Sequence, residues 1–248
     1  MRVILIPFLL LTVFEISAQT DSARIMKVED AITLAFHNIQ ELPNGTDRKK
    51  LGKDIKSTWY QWLYQINERQ MLEEYLDLLD DLDRVAALRY KEGDIELVEK
   101  SWFLVKLAEI KTKNAVLNNE IDITANHIRQ LVHTSNRIVP ADSGIFLYQV
   151  NKGSDGVPHE ASFDSSLTLE NIQLELDNDF MKLQYYKTIG LDHAQLTIRI
   201  NRAKYEAEEI DYLEFIKNLA EAYAMKMEYL ETLNHYNQTA IELEYYAY

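Results

Sequence analysis

The chain has no cysteine, so disulfides, thiolate metal sites and lipid attachment through an N-terminal Cys are all excluded. Its 248 residues hold only 7 Gly and 4 Pro, and so few chain breakers imply few, long elements. The one long apolar run is Val3 to Phe14, too short to span a bilayer, which takes about 20 residues. Catalytic signatures are missing as well. There is no G-x-S-x-G, no H-E-x-x-H and no glycine loop to cradle phosphate, so the chain reads as a non-enzyme without a cofactor. A helical carboxylate-bridged metal site needs Glu-x-x-His pairs. The residues three places before the six histidines are Leu34, Thr124, Gln130, Gly156, Gly190 and Thr232, none of them acidic. No basic recognition stripe is present either, and the formal net charge of -14 disfavours nucleic acid as a partner.

What is present begins with Met1-Arg2, the apolar run and a small residue at Ala18. That order reads as a cleavable signal peptide over 1–18, cut after Ala18, and hence as an exported protein. Beyond it, Met26 to Asn38 patterns as a short helix with Val28, Ile32, Ala35 and Phe36 on one face. Four long helices follow in expectation, over 46–91, 94–133, 167–206 and 210–246, grouped as a first repeat (19–137), a linker (138–166) and a second repeat (167–248). Apolar residues alternate by three and four along them, the spacing of a coiled-coil seam. One seam runs Leu72, Tyr75, Leu79, Leu82, Ala86 and Arg89, and another runs from Ile110 through Leu117, Ile121 and Ile128 to Leu131. The longest runs Leu213, Ile216, Ala220, Tyr223, Met227, Leu230, Asn234, Asn237 and Ile241, where the two Asn would specify register. The linker holds Pro140, Gly144, Gly153, Gly156 and Pro158 and one apolar run, Ile145 to Tyr148, that suits a short strand. The fold class is therefore all-α, two tandem antiparallel helical hairpins.

The halves repeat internally. Arg89-Tyr90-Lys91-Glu92-Gly93-Asp94-Ile95 aligns with Lys204-Tyr205-Glu206-Ala207-Glu208-Glu209-Ile210, and Glu99 with Glu214, all at an offset of 115. Several other groupings have two readings each. Trp59, Tyr60, Trp62 and Tyr64 suit a helix packed on two sides better than a ligand site. Met181, Met225 and Met227 could offer thioethers to Cu(I), but Met227 on a seam reads as core. The acidic run Glu73, Glu74, Asp77, Asp80, Asp81 and Asp83 reads as a solvated face or a ring of charge inside a helical tunnel. The basic cluster Arg48, Lys49, Lys50, Lys53 and Lys56 reads as a solvated face rather than a phosphate or lipid site.

The duplicated Arg-Tyr-x-x-Gly-x-Ile-x-x-x-Glu motif, with Asp54 to Tyr64 before it and Tyr229-Leu230-Glu231 and Tyr236 to Tyr245 closing the chain, resembles the hairpin tips and closing helix of TolC-type outer-membrane efflux proteins. The similarity points to the branch serving heavy-metal pumps of the resistance-nodulation-division class. It implies a periplasmic, outer-membrane-associated trimer whose helices form a tunnel, with a periplasmic adaptor and an inner-membrane pump as partners. It also implies that Tyr90, Gly93, Asp94 and Ile95, with Tyr205, Ile210, Asp211 and Tyr212, lie at or beside the adaptor contact. This sequence departs from the family in two ways. The segment Ile39 to Asp54 leaves little room for barrel strands, which need about 10 alternating residues each. Glu208 stands where the second tip would carry glycine. These departures favour, as an alternative, a periplasmic helical scaffold that kept the fold without the channel.

Overall fold

The computed structural model describes residues 23–39, 45–150 and 163–247. The leader expected over 1–18, residues 40–44 and residues 151–162 of the linker lie outside the described residues. In chain order the elements are β1 (Arg24–Met26), α1 (Val28–Asn38), α2 (Gly45–Glu92), α3 (Leu97–Leu131), β2 (Ile138–Pro140), α4 (Phe163–Tyr185), a π-helical turn (Tyr186–Gly190), α5 (Leu191–Glu206) and α6 (Tyr212–Ala247). The fold is all-α apart from the pairing of β1 with β2, parallel, with Ile25 opposite Val139.

Antiparallel α2 and α3 form the first hairpin, and α4–α5 with α6 form the second. At about 1.5 Å per residue the 48 residues of α2 span roughly 72 Å. The hairpins join where α2 packs on α6, so the helices lie side by side in the order α3, α2, α6, α4–α5. The two inner helices bury residues on two sides. Along α6 the expected seam is buried at Ile216, Tyr223, Leu230, Asn237 and Ile241, and a second seam at Tyr212, Phe215, Leu219, Ala222, Leu233 and Ala240 is buried as well. Trp59, Trp62 and Leu63 on α2 are likewise buried, with Trp59 and Trp62 meeting edge to face at 5.6 Å. The predicted α2 and α3 seams hold at Leu72, Tyr75, Leu79, Leu82, Ala86, Leu117, Ile121 and Ile128.

Three local expectations are corrected. The strand of the linker is Ile138–Pro140, not Ile145 to Tyr148, because β1 offers a partner to the former. The helix expected from Leu167 already runs from Phe163. The helix expected unbroken over 167–206 contains the π-helical turn. Its buried or half-buried residues step through Ile172, Leu176, Asp179, Leu183, Tyr186, Gly190 and Ala194. The last two steps are both four, and the wider π turn takes up the extra residue, so that the stripe stays on one face. Gly190 fits there because a Cβ would sit 3.0 Å from the Tyr186 ring and 3.6 Å from Met225 Sδ.

Candidate functional site

The two hairpin tips share one backbone design. At the first, Gly93 N–H donates to Tyr90 O at 3.2 Å and Asp94 N–H to Arg89 O at 2.8 Å. At the second, Glu208 N–H donates to Tyr205 O at 3.2 Å and Glu209 N–H to Lys204 O at 2.9 Å. This pair of bonds is the Schellman ending, which puts the residue after the helix in the left-handed region. Gly93 has φ 85° and Glu208 has φ 58°, so the position does demand positive φ and Glu208 bears the strain. The next helices are capped in register. Glu96 N–H is bonded by Glu99 Oε2 at 2.8 Å, and Asp211 Oδ1 accepts Glu214 N–H at 2.7 Å. The offset of 115 is thus a structural repeat, bond for bond at the turns, while the two caps use opposite halves of the capping box.

The tips differ in what they expose. Gly93, Asp94 and Asp211 are exposed, as is Tyr90, over whose ring Lys100 Nζ sits at 4.8 Å. Ile210 is half-buried, while Ile95, Tyr205 and Tyr212 are buried. These last three build the tips from inside rather than offering side chains outward. The Tyr205 and Phe215 rings stack at 4.7 Å, Phe103 of α3 meets Tyr212 edge-on at 5.6 Å, and the Arg89 guanidinium lies 4.6 Å from the centre of the Tyr205 ring. An aromatic cluster and one cation–π contact therefore fasten tip to tip. Burial raises the phenol pKa of Tyr212 and of Tyr205, with Arg89 partly opposing it at Tyr205.

The first tip carries an apolar patch that the motif does not signal. Leu88, Leu97, Val98, Trp102 and Val105 are all exposed. A second three-and-four period on α3, Val98, Trp102, Val105, and farther along Val116 and Ile123, could have revealed it. Between Tyr205 and Ile216 the second tip has no large apolar side chain of comparable exposure.

Other candidate groupings resolve into packing and ion pairs. Met227 packs against the core and Met181 is exposed. Among the described residues no three His, Cys, Asp or Glu side chains gather to hold a metal. Within the acidic run, Glu73 pairs with Arg69 at 3.6 Å, Asp80 with Lys111 at 2.9 Å and Asp81 with Arg84 at 2.6 Å, all near solvent. The basic cluster is exposed at Arg48, Lys49 and Lys50, as a solvated face would be, and it also engages the far end of α6. Lys56 pairs with Glu244, Lys53 with Glu242 at 3.9 Å, and Lys49 and Lys53 lie over the Tyr245 ring at 5.2 and 4.8 Å. No helix among the described residues is long and apolar enough to cross a membrane.

No protein-family model matches the chain, and no curated protein does. Among solved structures it is similar to CusC, described in crystal structures concerning the conformational changes of folding and transmembrane channel formation. The two share 11% identity at a TM-score of 0.56, over 88% of this chain and 72% of that one. At this identity the likeness shows the fold alone, and that fold is the helical one the TolC-type resemblance implies.

Proposed function

We propose that this chain is an exported, non-enzymatic component of an efflux assembly. It stands in the periplasm at the outer membrane and assembles copy to copy into a ring of helices. The observation that carries this reading is the open layer. Its edge helices, α3 and α4–α5, each have neighbours on one side, and each shows an exposed apolar stripe in heptad-like steps. On α3 the stripe is Val98, Trp102, Val105, Val116 and Ile123. On the other edge it is Leu174, Met181, Tyr185, Ile189, Leu196 and Ile200. Two different edges that each need a coiled-coil partner satisfy one another head to tail, and such contacts form a ring when the rotation from copy to copy closes. The family resemblance sets the expected number at three.

The first tip is the docking surface for a periplasmic adaptor, and through it for an inner-membrane pump. It combines the glycine turn, the exposed charges of Lys91, Glu92 and Asp94, and the patch around Trp102. Heavy-metal export is the substrate class the resemblance suggests. Light scattering of the purified chain tests the assembly, and capture of a co-encoded adaptor tests the docking. A monodisperse monomer at micromolar concentration and above contradicts the ring.

A second reading, a helical scaffold without a channel, is favoured by the short connection 39–44 between α1 and α2. Two membrane strands of about 10 residues each do not fit there. Membrane fractionation separates the readings: recovery with the outer membrane supports the first, and a freely soluble protein supports the second.

A further inference from the structure

At the end of the layer away from the tips, α1, α2 and α6 enclose an open pocket of about 490 Å³. From Gly52 in its wall to Gly93 at the tip, α2 rises roughly 60 Å. Arg48, Lys49, Lys53 and Lys56 line the pocket with one carboxylate, Glu244, and the apolar side chains Ile32, Phe36, Ile241 and Tyr245 form the rest of its wall. Lys56 and Lys53 have carboxylate partners. Arg48 and Lys49 rest instead on aromatic faces, Arg48 at 5.9 Å from the Phe36 centroid and Lys49 at 5.2 Å from that of Tyr245. Neither has a carboxylate partner among the described residues, and both are exposed. A ring face accepts a cation but leaves its outward N–H donors for another acceptor.

We infer that this pocket takes the acidic headgroup and first methylenes of an anionic membrane lipid, so that this end of the layer rests on a membrane surface. The chemistry is divided to match. Arg48 and Lys49 present donors for a phosphate, while Phe36, Ile32 and Ile241 offer an apolar wall that a soluble inorganic anion would not use. Basic side chains beside tyrosine rings are the side chains that sit well at a membrane–water boundary. The rest of the molecule opposes such binding. With a net charge of -14 the chain as a whole is repelled by an acidic surface, so any preference for one must come from a local cluster. This inference stands apart from the docking reading, since it concerns the opposite end and needs no adaptor.

The test is co-sedimentation of the full chain with phosphatidylcholine vesicles, with and without phosphatidylglycerol, at 0.1 M salt. The chain should favour the phosphatidylglycerol vesicles. Each near-surface cation is worth roughly a fivefold change in partitioning, so Arg48→Gln with Lys49→Gln should lose about 25-fold. The charge-preserving pair Arg48→Lys with Lys49→Arg should retain binding. Removing the same charge at Lys187 and Arg199, exposed on the other hairpin, should change little. Helicity by circular dichroism should match across all variants, because the four substituted side chains are exposed. Equal partitioning to both vesicle types, or equal losses in the Arg48/Lys49 and Lys187/Arg199 variants, overturns the assignment. Full displacement by millimolar glycerol phosphate also overturns it, reassigning the pocket to a soluble anion.

Discussion

Asn237 holds Tyr148 by its backbone: the Asn237 Oδ1 accepts the Tyr148 N–H at 2.7 Å, while its Nδ2 donates to Phe146 O at 2.8 Å. One carboxamide, fully buried on α6, thus bonds an extended segment as a neighbouring β-strand would. Tyr148 is anchored further by its hydroxyl, which bonds Glu244, and by the Tyr60 ring, edge-on at 5.3 Å. Upstream, Asn67 Nδ2 of α2 donates to Ser143 O at 2.9 Å. Past β2, the linker residues Ser143 to Tyr148 therefore cross α2 and α6 as a strap, with the backbone groups of Ser143, Phe146 and Tyr148 bonded by side chains rather than by a neighbouring strand.

Replacing Asn237 with Ala would leave the buried Tyr148 N–H and the part-buried Phe146 carbonyl without this partner. Two such losses should cost about 2–4 kcal/mol. Thermal and denaturant melts measure that cost, and amide exchange at Tyr148 should accelerate more than exchange in α3. If Asn237 only set helix register, exchange at Tyr148 would rise no more than the global loss explains.

The strain at the second tip is removable. Glu208→Gly should stabilise the fold by about 1 kcal/mol, since φ 58° is nearly free of cost for glycine and not for Glu. Gly93→Val runs the other way. No atom lies within 4 Å of a Cβ built at Gly93, so its cost is backbone strain alone, about 1–2 kcal/mol or somewhat more for a β-branched residue. Helicity should be nearly unchanged in both. If the first tip docks an adaptor, Gly93→Val should also weaken capture; undiminished capture by the folded variant would remove the tip from the interface.

Tyr75 gives the fold an alkaline limit. It stacks on Tyr223 at 4.2 Å, and burial, with the nearby Tyr223 and Glu109, pushes its phenol up to about 12 from 10.0. The folded chain thus holds the proton more tightly than the unfolded one. Its contribution is fully present below pH 10 and is lost as pH climbs towards 12. Melting temperature should fall through that window, together with a rise in phenolate absorbance. Tyr75→Phe should flatten part of the slope while changing neutral-pH stability little, because the Tyr75 hydroxyl has no hydrogen-bond partner to lose.

Much of this architecture was legible because helical seams write themselves into sequence. The period through Leu72, Leu79 and Ala86 and the offset pairing Tyr90 with Tyr205 needed no structure to find. The second seam of α6 through Phe215, Leu219 and Leu233 was harder, since two interleaved periods merge into a nearly continuous apolar run. Spacing placed Asn237 on the seam where it is indeed buried, but only the three-dimensional path of the linker shows its bonds to Phe146 and Tyr148. The π turn was invisible because one extra residue changes no local propensity. At the tips, the motif marked where the chain turns but not which side is wet, and Tyr205 and Tyr212, expected at or beside a contact, are buried in the single chain.

The arrangement of the edges makes a prediction that few other assemblies would meet. If the α3 edge of one copy meets the α4–α5 edge of the next, each interface joins two unlike surfaces. Val105→Asp spoils the first surface, and Ile189→Asp spoils the second. Both side chains are exposed in the single chain, so neither change should unfold it. Each variant alone has one sound edge with nothing to meet, and should run as a monomer. Mixed in equal amounts, the sound α4–α5 edge of Val105→Asp can join the sound α3 edge of Ile189→Asp. That union leaves only spoiled edges outside, so growth stops at two. Light scattering should therefore read monomer, monomer and then dimer on mixing. A symmetric contact, in which one edge meets its own copy, behaves differently. One variant would keep its dimer when alone, and mixing would add nothing, which would sink the head-to-tail ring.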